Sequence, residues 1–215
     1  MALEAKICGL STPETLDVAV AEGASFVGFV FYPRSPRNVS LAQAAALAAR
    51  VPERVRRVAL LVNADDAFLA ELVRQVPLEL LQLHGAETPE RVAAIRERSG
   101  KQVMKVLHLA EAADLAAVAG SLPVADRLMF EAKPPATMAN ALPGGNALAF
   151  DWSILAGRSF ARPWMLAGGL NAGNLKEAAG TSGARAVDVS SGVESAPGVK
   201  DPAKIRAFLR AARAL

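Results

Sequence analysis

One cysteine, Cys8, stands in 215 residues, so the chain can form no internal disulfide and its chemistry suits a reducing compartment. Aromatic residues are scarce at 5%, and the 24 Lys and Arg outnumber the 21 Asp and Glu by only three. The basic residues are scattered, with short clusters only at "RVRR" and "RAFLRAAR". A nucleic-acid surface would need a concentrated basic patch with aromatics for stacking, so none is expected. No apolar run approaches the roughly 20 residues that span a bilayer, and none is expected to meet a membrane. The opening "MALEAKICGL" lacks a positive stretch followed by an apolar one, so no secretion signal is expected and the cytoplasm is the expected location. A slightly positive balance does suit a small anionic ligand. The sequence sets no oligomeric state.

What is present is a strong alternation. Hydrophobic residues make up 52% of the chain. Short apolar or β-branched runs ("AKICG", "FVGFVFY", "RRVALLVN", "ELLQLHG", "QVMKVLHL", "RLMFEAK", "WMLAGG", "AVDVSSG") read as strands. Helical stretches are expected between them near 12–22, 41–50, 65–75, 88–98, 110–119, 151–157, 172–179 and 201–213. Strand–helix alternation argues for βαβ units, and eight units predict an α/β fold: a single-domain (β/α)8 TIM barrel over 1–215, compact at about 27 residues per unit. An open doubly wound sheet is the alternative. Thr12 before Pro13 marks one helix start, and the Asn of "NAGN" and the Asp of "DPAK" mark two more. The irregular stretch of about 134–150 is expected as a lid.

In such a barrel the chemistry sits at the C-terminal ends of the strands. Alternation along each strand picks an inward set: Lys6 and Cys8, Gln82 and His84, Lys105, Met129 and Glu131, Asp188 and Ser190. A single polar residue at a strand end says little, but these converge on one mouth. "AGGL" (Gly168, Gly169) and "SSG" (Ser190, Ser191, Gly192) follow the last two strands, where barrels often bind phosphate with a short extra helix. Glycine lets backbone N–H groups approach an anion closely. The proline-stiffened "FYPRSPRNVS" carries two arginines, Arg34 and Arg37, and an Arg held on so stiff a loop suits a carboxylate clamp.

These segments resemble phosphoribosylanthranilate isomerase, a (β/α)8 family of tryptophan biosynthesis. The resemblance runs through "KICGLS", "GASFVGFVFYPRSPRNVS", "LLQLHG", "LPGGNALAFDW", "LAGGLN" and "AVDVSSGVESAPGVKDPAKI". It implies an Amadori rearrangement of an aminoaldose phosphate to an aminoketose, without metal or organic cofactor. By the same resemblance, Cys8 would be the general base at C2. Arg37 would hold the anthranilate carboxylate, and Asp188 would position the substrate near its amino group. Gly168, Gly169, Ser190, Ser191 and Gly192 would take the phosphate, and Gln82 and His84 would shape the site.

Two positions depart from the pattern. Where the family carries an aspartate as general acid, "LMFEAKPP" places Glu131; where it usually carries glycine, Ala147 stands. Glu131 is expected to remain the acid, although a displacement of about 1 Å can cost 10²-fold in rate. Two alternatives remain open on sequence. One is the same chemistry on a histidine-pathway sugar phosphate, against which the lone Cys8 argues. The other is a slow or non-catalytic phosphate-ligand binder.

Overall fold

Alternate residues of a parallel strand face opposite ways, and here both faces are apolar, so the strands are buried on both sides. β2 (Phe26–Phe31) is buried at every position. In the computed structural model, which describes residues 3–135, 144–145 and 148–215, eight such strands close on themselves. They are β1 (Glu4–Cys8), β2, β3 (Arg56–Leu61), β4 (Leu80–Leu83), β5 (Gln102–Leu109), β6 (Arg127–Ala132), β7 (Trp164–Leu166) and β8 (Ala186–Val189). Every neighbouring pair is parallel, and β8 pairs with β1 to close the barrel. The closed barrel is thus the architecture, and the open sheet is excluded.

Among the described residues, seven α-helices surround it: α1 (Pro13–Ala21), α2 (Leu41–Ala48), α3 (Asp66–Gln75), α4 (Pro89–Ser99), α5 (Ala117–Ser121), α6 (Leu175–Ser182) and α7 (Pro202–Arg213). Thr12 and Asp201 cap α1 and α7 with their side chains, each followed by Pro at the first helical position. The helix expected over 151–157 is instead one 3-10 turn, Trp152–Leu155, ended by Gly157 at φ 68°. Its β-branched and aromatic residues and the glycine leave too short a run to propagate an α-helix. The segment expected near 110–119 likewise begins as a 3-10 turn, Ala112–Ala116, before α5. No helix among the described residues is long and apolar enough to cross a membrane.

The barrel interior is a layer of Phe26, Val58, Leu80, Met104, Val106, Met129, Met165, Ala167 and Ala186. Burying a side chain such as Phe26 or Leu80 contributes about 1.5–3 kcal/mol each. Below this layer the guanidinium groups of Arg56 and Arg127 lie 5.5 and 5.3 Å from the Phe26 ring centroid and close the bottom. The opposite end is left for polar side chains.

This register corrects one expectation. Met104 and Val106 face the barrel interior, so Lys105 between them faces outward. Its Nζ donates to Glu87 Oε2 and to the Gly85 carbonyl, both at 2.7 Å, and ties the loop after β4 to β5. Lys105 is a structural staple outside the mouth; His108, three residues on, is the β5 residue that reaches it.

Candidate active site

The C-terminal ends of the strands enclose a solvent-connected cavity of about 640 Å³. Cys8, Arg37, His84, Glu131, Gly168, Gly169, Asp188, Ser190 and Ser191 all line it. Of the sequence-derived candidates, Lys6, Gln82, Lys105, Met129 and Gly192 are not on its wall. Gln82 is fully buried one layer down, beneath His84. Gly192 sits where an added Cβ would run into the Leu170 carbonyl, so it lets the loops after β7 and β8 pack together.

On β1, Lys6 and Cys8 face inward together. The Lys6 ammonium, fully buried, donates to Asp188 Oδ1 of β8 at 2.7 Å. Burial pushes that ammonium's pKa down, but Asp188 and Cys8 outweigh it and hold it well above the usual lysine range. Lys6 is therefore a permanent cation beside the thiol. Burial pushes the Cys8 thiol up, and Lys6 only partly offsets this. Both groups lean on Gly28 of β2, where an added Cβ would lie 3.0 Å from Cys8 Sγ and 3.1 Å from Lys6 Nζ.

On β6, Glu131 is buried to 8% exposure and its Oε2 lies 2.6 Å from Nε2 of His84, the residue just past β4. The Gly145 N–H donates to Oε1 at 3.4 Å. Burial pushes the Glu131 carboxyl up; a charged His84 more than offsets it, so as an ion pair the carboxyl falls below its usual range. Donor atoms of His84, His108 and Glu131 lie within 4.8 Å of one another, the one group among the described residues that could hold a cation. His84 Nε2 and Glu131 are already spent on each other, and a cation would have to break that bond. The set reads as a hydrogen-bonded acid.

Arg37 is buried and forked onto a partner that sequence reading did not find. Its Nε and Nη2 donate to Glu194 Oε1 and Oε2 at 2.7 and 2.8 Å. Glu194 also accepts from Lys200 Nζ at 2.7 Å and from the Gly198 N–H at 3.2 Å. Lys200 reaches on to the Ser190 carbonyl at 2.8 Å. Glu194 and Lys200 belong to β9 (Glu194–Ala196) and β10 (Val199–Lys200), a short antiparallel hairpin after β8. No spacing in "GVESAPGVK" signals that two charges there are buried; only the hairpin's return over the barrel shows it. The fork leaves the Nη1 edge of Arg37 turned toward Gly145, where an added Cβ would lie 2.7 Å away.

We expect Glu194→Gln to loosen this fork. Removing one partner of a buried ion pair costs about 3–5 kcal/mol, and here two cations lose their counter-charge. Denaturant melts should show a loss of that size, and KM should rise about tenfold with kcat within a few-fold, as for lost uniform binding. An unchanged KM would mean that Arg37 needs no orienting partner.

The turn after β7 places Gly168 and Gly169 at φ 89° and 64°, in the left-handed region that favours glycine. It is held from α6: Asn174, expected as a helix cap, does not cap with its side chain but donates from Nδ2 to the Gly169 carbonyl at 2.9 Å. Ser190 Oγ donates to the Cys8 carbonyl at 3.2 Å, joining the phosphate-type rim to the thiol strand. The extra helix expected there is only a 3-10 turn, Ser191–Val193. Of the lid expected over about 134–150, residues 136–143 and 146–147, Ala147 included, lie outside the described residues; Gly144 and Gly145 line the cavity.

The chain is similar to known proteins over nearly its whole length. The family model described as N-(5'phosphoribosyl)anthranilate (PRA) isomerase matches residues 5–211. N-(5'-phosphoribosyl)anthranilate isomerase of Paramagnetospirillum magneticum is 58% identical over 213 residues, covering 99% of this chain and 98% of the relative. The crystal structure of phosphoribosyl anthranilate isomerase from Thermotoga maritima superposes with a TM-score of 0.88 at 34% identity, covering 99% of this chain and 100% of that one. A phosphoribosyl anthranilate isomerase in complex with reduced 1-(o-carboxyphenylamino)-1-deoxyribulose 5-phosphate superposes with a TM-score of 0.83 at 31% identity, covering 99% and 100%. On sequence and fold together, the chain belongs to the N-(5'-phosphoribosyl)anthranilate isomerase family.

Proposed function

We propose that the chain isomerises N-(5-phosphoribosyl)anthranilate to 1-(2-carboxyphenylamino)-1-deoxyribulose 5-phosphate in tryptophan biosynthesis, with Glu131 as general acid and Cys8 as general base. The observation that carries this reading is the shared cavity: one carboxyl and the lone thiol line it from β6 and β1, with β7 and β8 between them.

The substrate is anionic at both ends, and the cavity offers a site for each. The Nη1 edge of Arg37, which the Glu194 pairing leaves turned to the cavity, suits the anthranilate carboxylate. The glycine turn at Gly168 and Gly169 and the rim at Ser190, Ser191 and Gly192 suit the phosphate. This leaves the sugar between acid and base. Glu131 gives its proton to the ring oxygen as the C1–O bond breaks. The anthranilate nitrogen supplies the electron pair, so a protonated Schiff base forms. Asp188, lining the cavity beside Cys8, faces that nitrogen. Cys8 thiolate then removes the proton from C2, and the electron pair moves toward the nitrogen to give an enolamine, which tautomerises to the ketone. Each positioned proton transfer contributes typically 10²–10⁴-fold. No step needs an electron acceptor or a metal. The chain works as one barrel domain over 1–215 in the cytoplasm, where its substrate would be made.

Purified protein mixed with the aminoaldose should convert it to the ketose. Tight binding without product would favour the non-catalytic reading, and turnover of the histidine-pathway aminoaldose alone would favour the other.

A further inference from the structure

A glutamate beside a histidine poses a problem for acid catalysis. Free imidazole titrates near pH 6.5 and a free glutamate near 4.3, so a proton shared between them belongs on the histidine. An imidazolium at 2.6 Å would leave Glu131 ionised, with nothing to give the ring oxygen.

The layer beneath answers this. Gln82 Nε2 lies 3.0 Å from His84 Nδ1, and the same nitrogen lies 3.5 Å from the Met129 sulfur. An amide nitrogen only donates, so Nδ1 accepts, and the imidazole must be neutral with its proton on Nε2. Nε2 then donates to Glu131 Oε2. The second amide hydrogen goes to Met129, which holds the carboxamide in this orientation. Among the described residues, buried Gln82 Oε1 has no hydrogen-bond partner. Turning the amide over would offer Oε1 to a protonated Nδ1 and admit the imidazolium.

We propose that Gln82 is a positioning residue whose amide N–H keeps the catalytic proton on Glu131 by denying it to His84. In the loaded enzyme Glu131 is a carboxylic acid. Its Oε2, as the carbonyl oxygen, accepts from His84 Nε2–H, and its Oε1 carries the proton that faces the cavity. With His84 neutral its ionic pull on the carboxyl is gone, and burial, the largest influence there, favours the protonated form against the Gly145 N–H and His108. After transfer, the same Nε2–H stabilises the carboxylate left behind. One hydrogen bond thus serves both states of the acid, and no proton is lost to the histidine.

The ionisable groups around the His84 ring are few. Glu131 faces it from β6, and His108 from β5 at 5.5 Å between centroids. Arg37, Cys8 and Asp188 share the main cavity, and Tyr32, Arg34 and Lys133 share an outer groove with it. The chain has only two histidines, so ring-nitrogen NMR of the ¹⁵N-labelled protein gives two assignable sets of signals.

The inference rests on Glu131 being the acid, but the NMR signal reports where the proton sits whether or not that reading holds. In the unmodified enzyme at pH 7 His84 should be neutral, protonated on Nε2 alone. In Gln82→Met, similar in volume but without an N–H to offer, His84 should become doubly protonated near neutral pH. There kcat should fall about tenfold, less than the 10²–10⁴-fold of a proton transfer itself, with KM within about twofold. A doubly protonated His84 at pH 7 in the unmodified enzyme would overturn the proposal. So would a Gln82→Met enzyme with unchanged kcat and His84 titration. If that variant does not fold, the tautomer of the unmodified enzyme decides alone.

Discussion

Cys8→Ser is expected to lower kcat/KM by about 10²–10⁴-fold while leaving the melting transition nearly unchanged. The substitution keeps the size of the group, so the neighbours at Gly28 and Lys6 need not move. What it removes is an ionisable thiol. A serine hydroxyl needs an adjacent base to become reactive, whereas a free thiol titrates near pH 8.5. Steady-state rates with a melting curve on the same sample check it; a loss of only a few-fold would take Cys8 out of the mechanism. The same base predicts a pH profile. Burial raises the Cys8 thiol, so the thiolate fraction, and with it kcat/KM, should still be rising above neutral pH. Lys6 is the cation that limits this shift. Lys6→Met should therefore move the rising limb to higher pH, and an unmoved limb would show that Lys6 does not act on the thiol.

Glu131→Gln is expected to lower kcat by about 10²–10⁴-fold with little change in KM. The amide matches the carboxyl in shape, and its oxygen can still accept from His84 Nε2, so the pocket should keep its form. It has no acidic proton for the ring oxygen. Because ring opening precedes abstraction at C2, the loss should appear in single-turnover chemistry and not in binding. A kcat near the parental value would remove Glu131 from the mechanism. Together the two substitutions ask whether acid and base act in sequence: the double variant should then fall well short of the sum of the two losses, because one blocked step hides the other.

Much of this site was legible because strand alternation is a strict rule. Cys8, His84, Glu131 and Asp188 fall on inward positions at strand ends, and one period-two count finds them all. The same count failed at Lys105 because a strand's phase depends on its register with its neighbours. On β5 that register turns Met104 and Val106 inward. The expected helix over 151–157 failed for a different reason: local pattern cannot tell a short helix from a single turn when tertiary packing decides how far it propagates.

Composition and periodicity determined the class of this protein. A chain without disulfides, spanning segments or a basic patch, alternating strand and helix eight times, has few ways to bury its apolar surface, and a closed barrel is one. They also determined which side chains a closed barrel brings to its mouth. Tertiary structure alone decided how those side chains hold one another. Glu194 finds Arg37 across 157 residues of sequence, Lys6 finds Asp188 across 182, and Gln82 meets His84 from the layer below. The physical reason is that protonation and orientation at a site depend on distances of a few ångströms between groups far apart in the chain. Closure of the barrel sets those distances, and no local pattern encodes them.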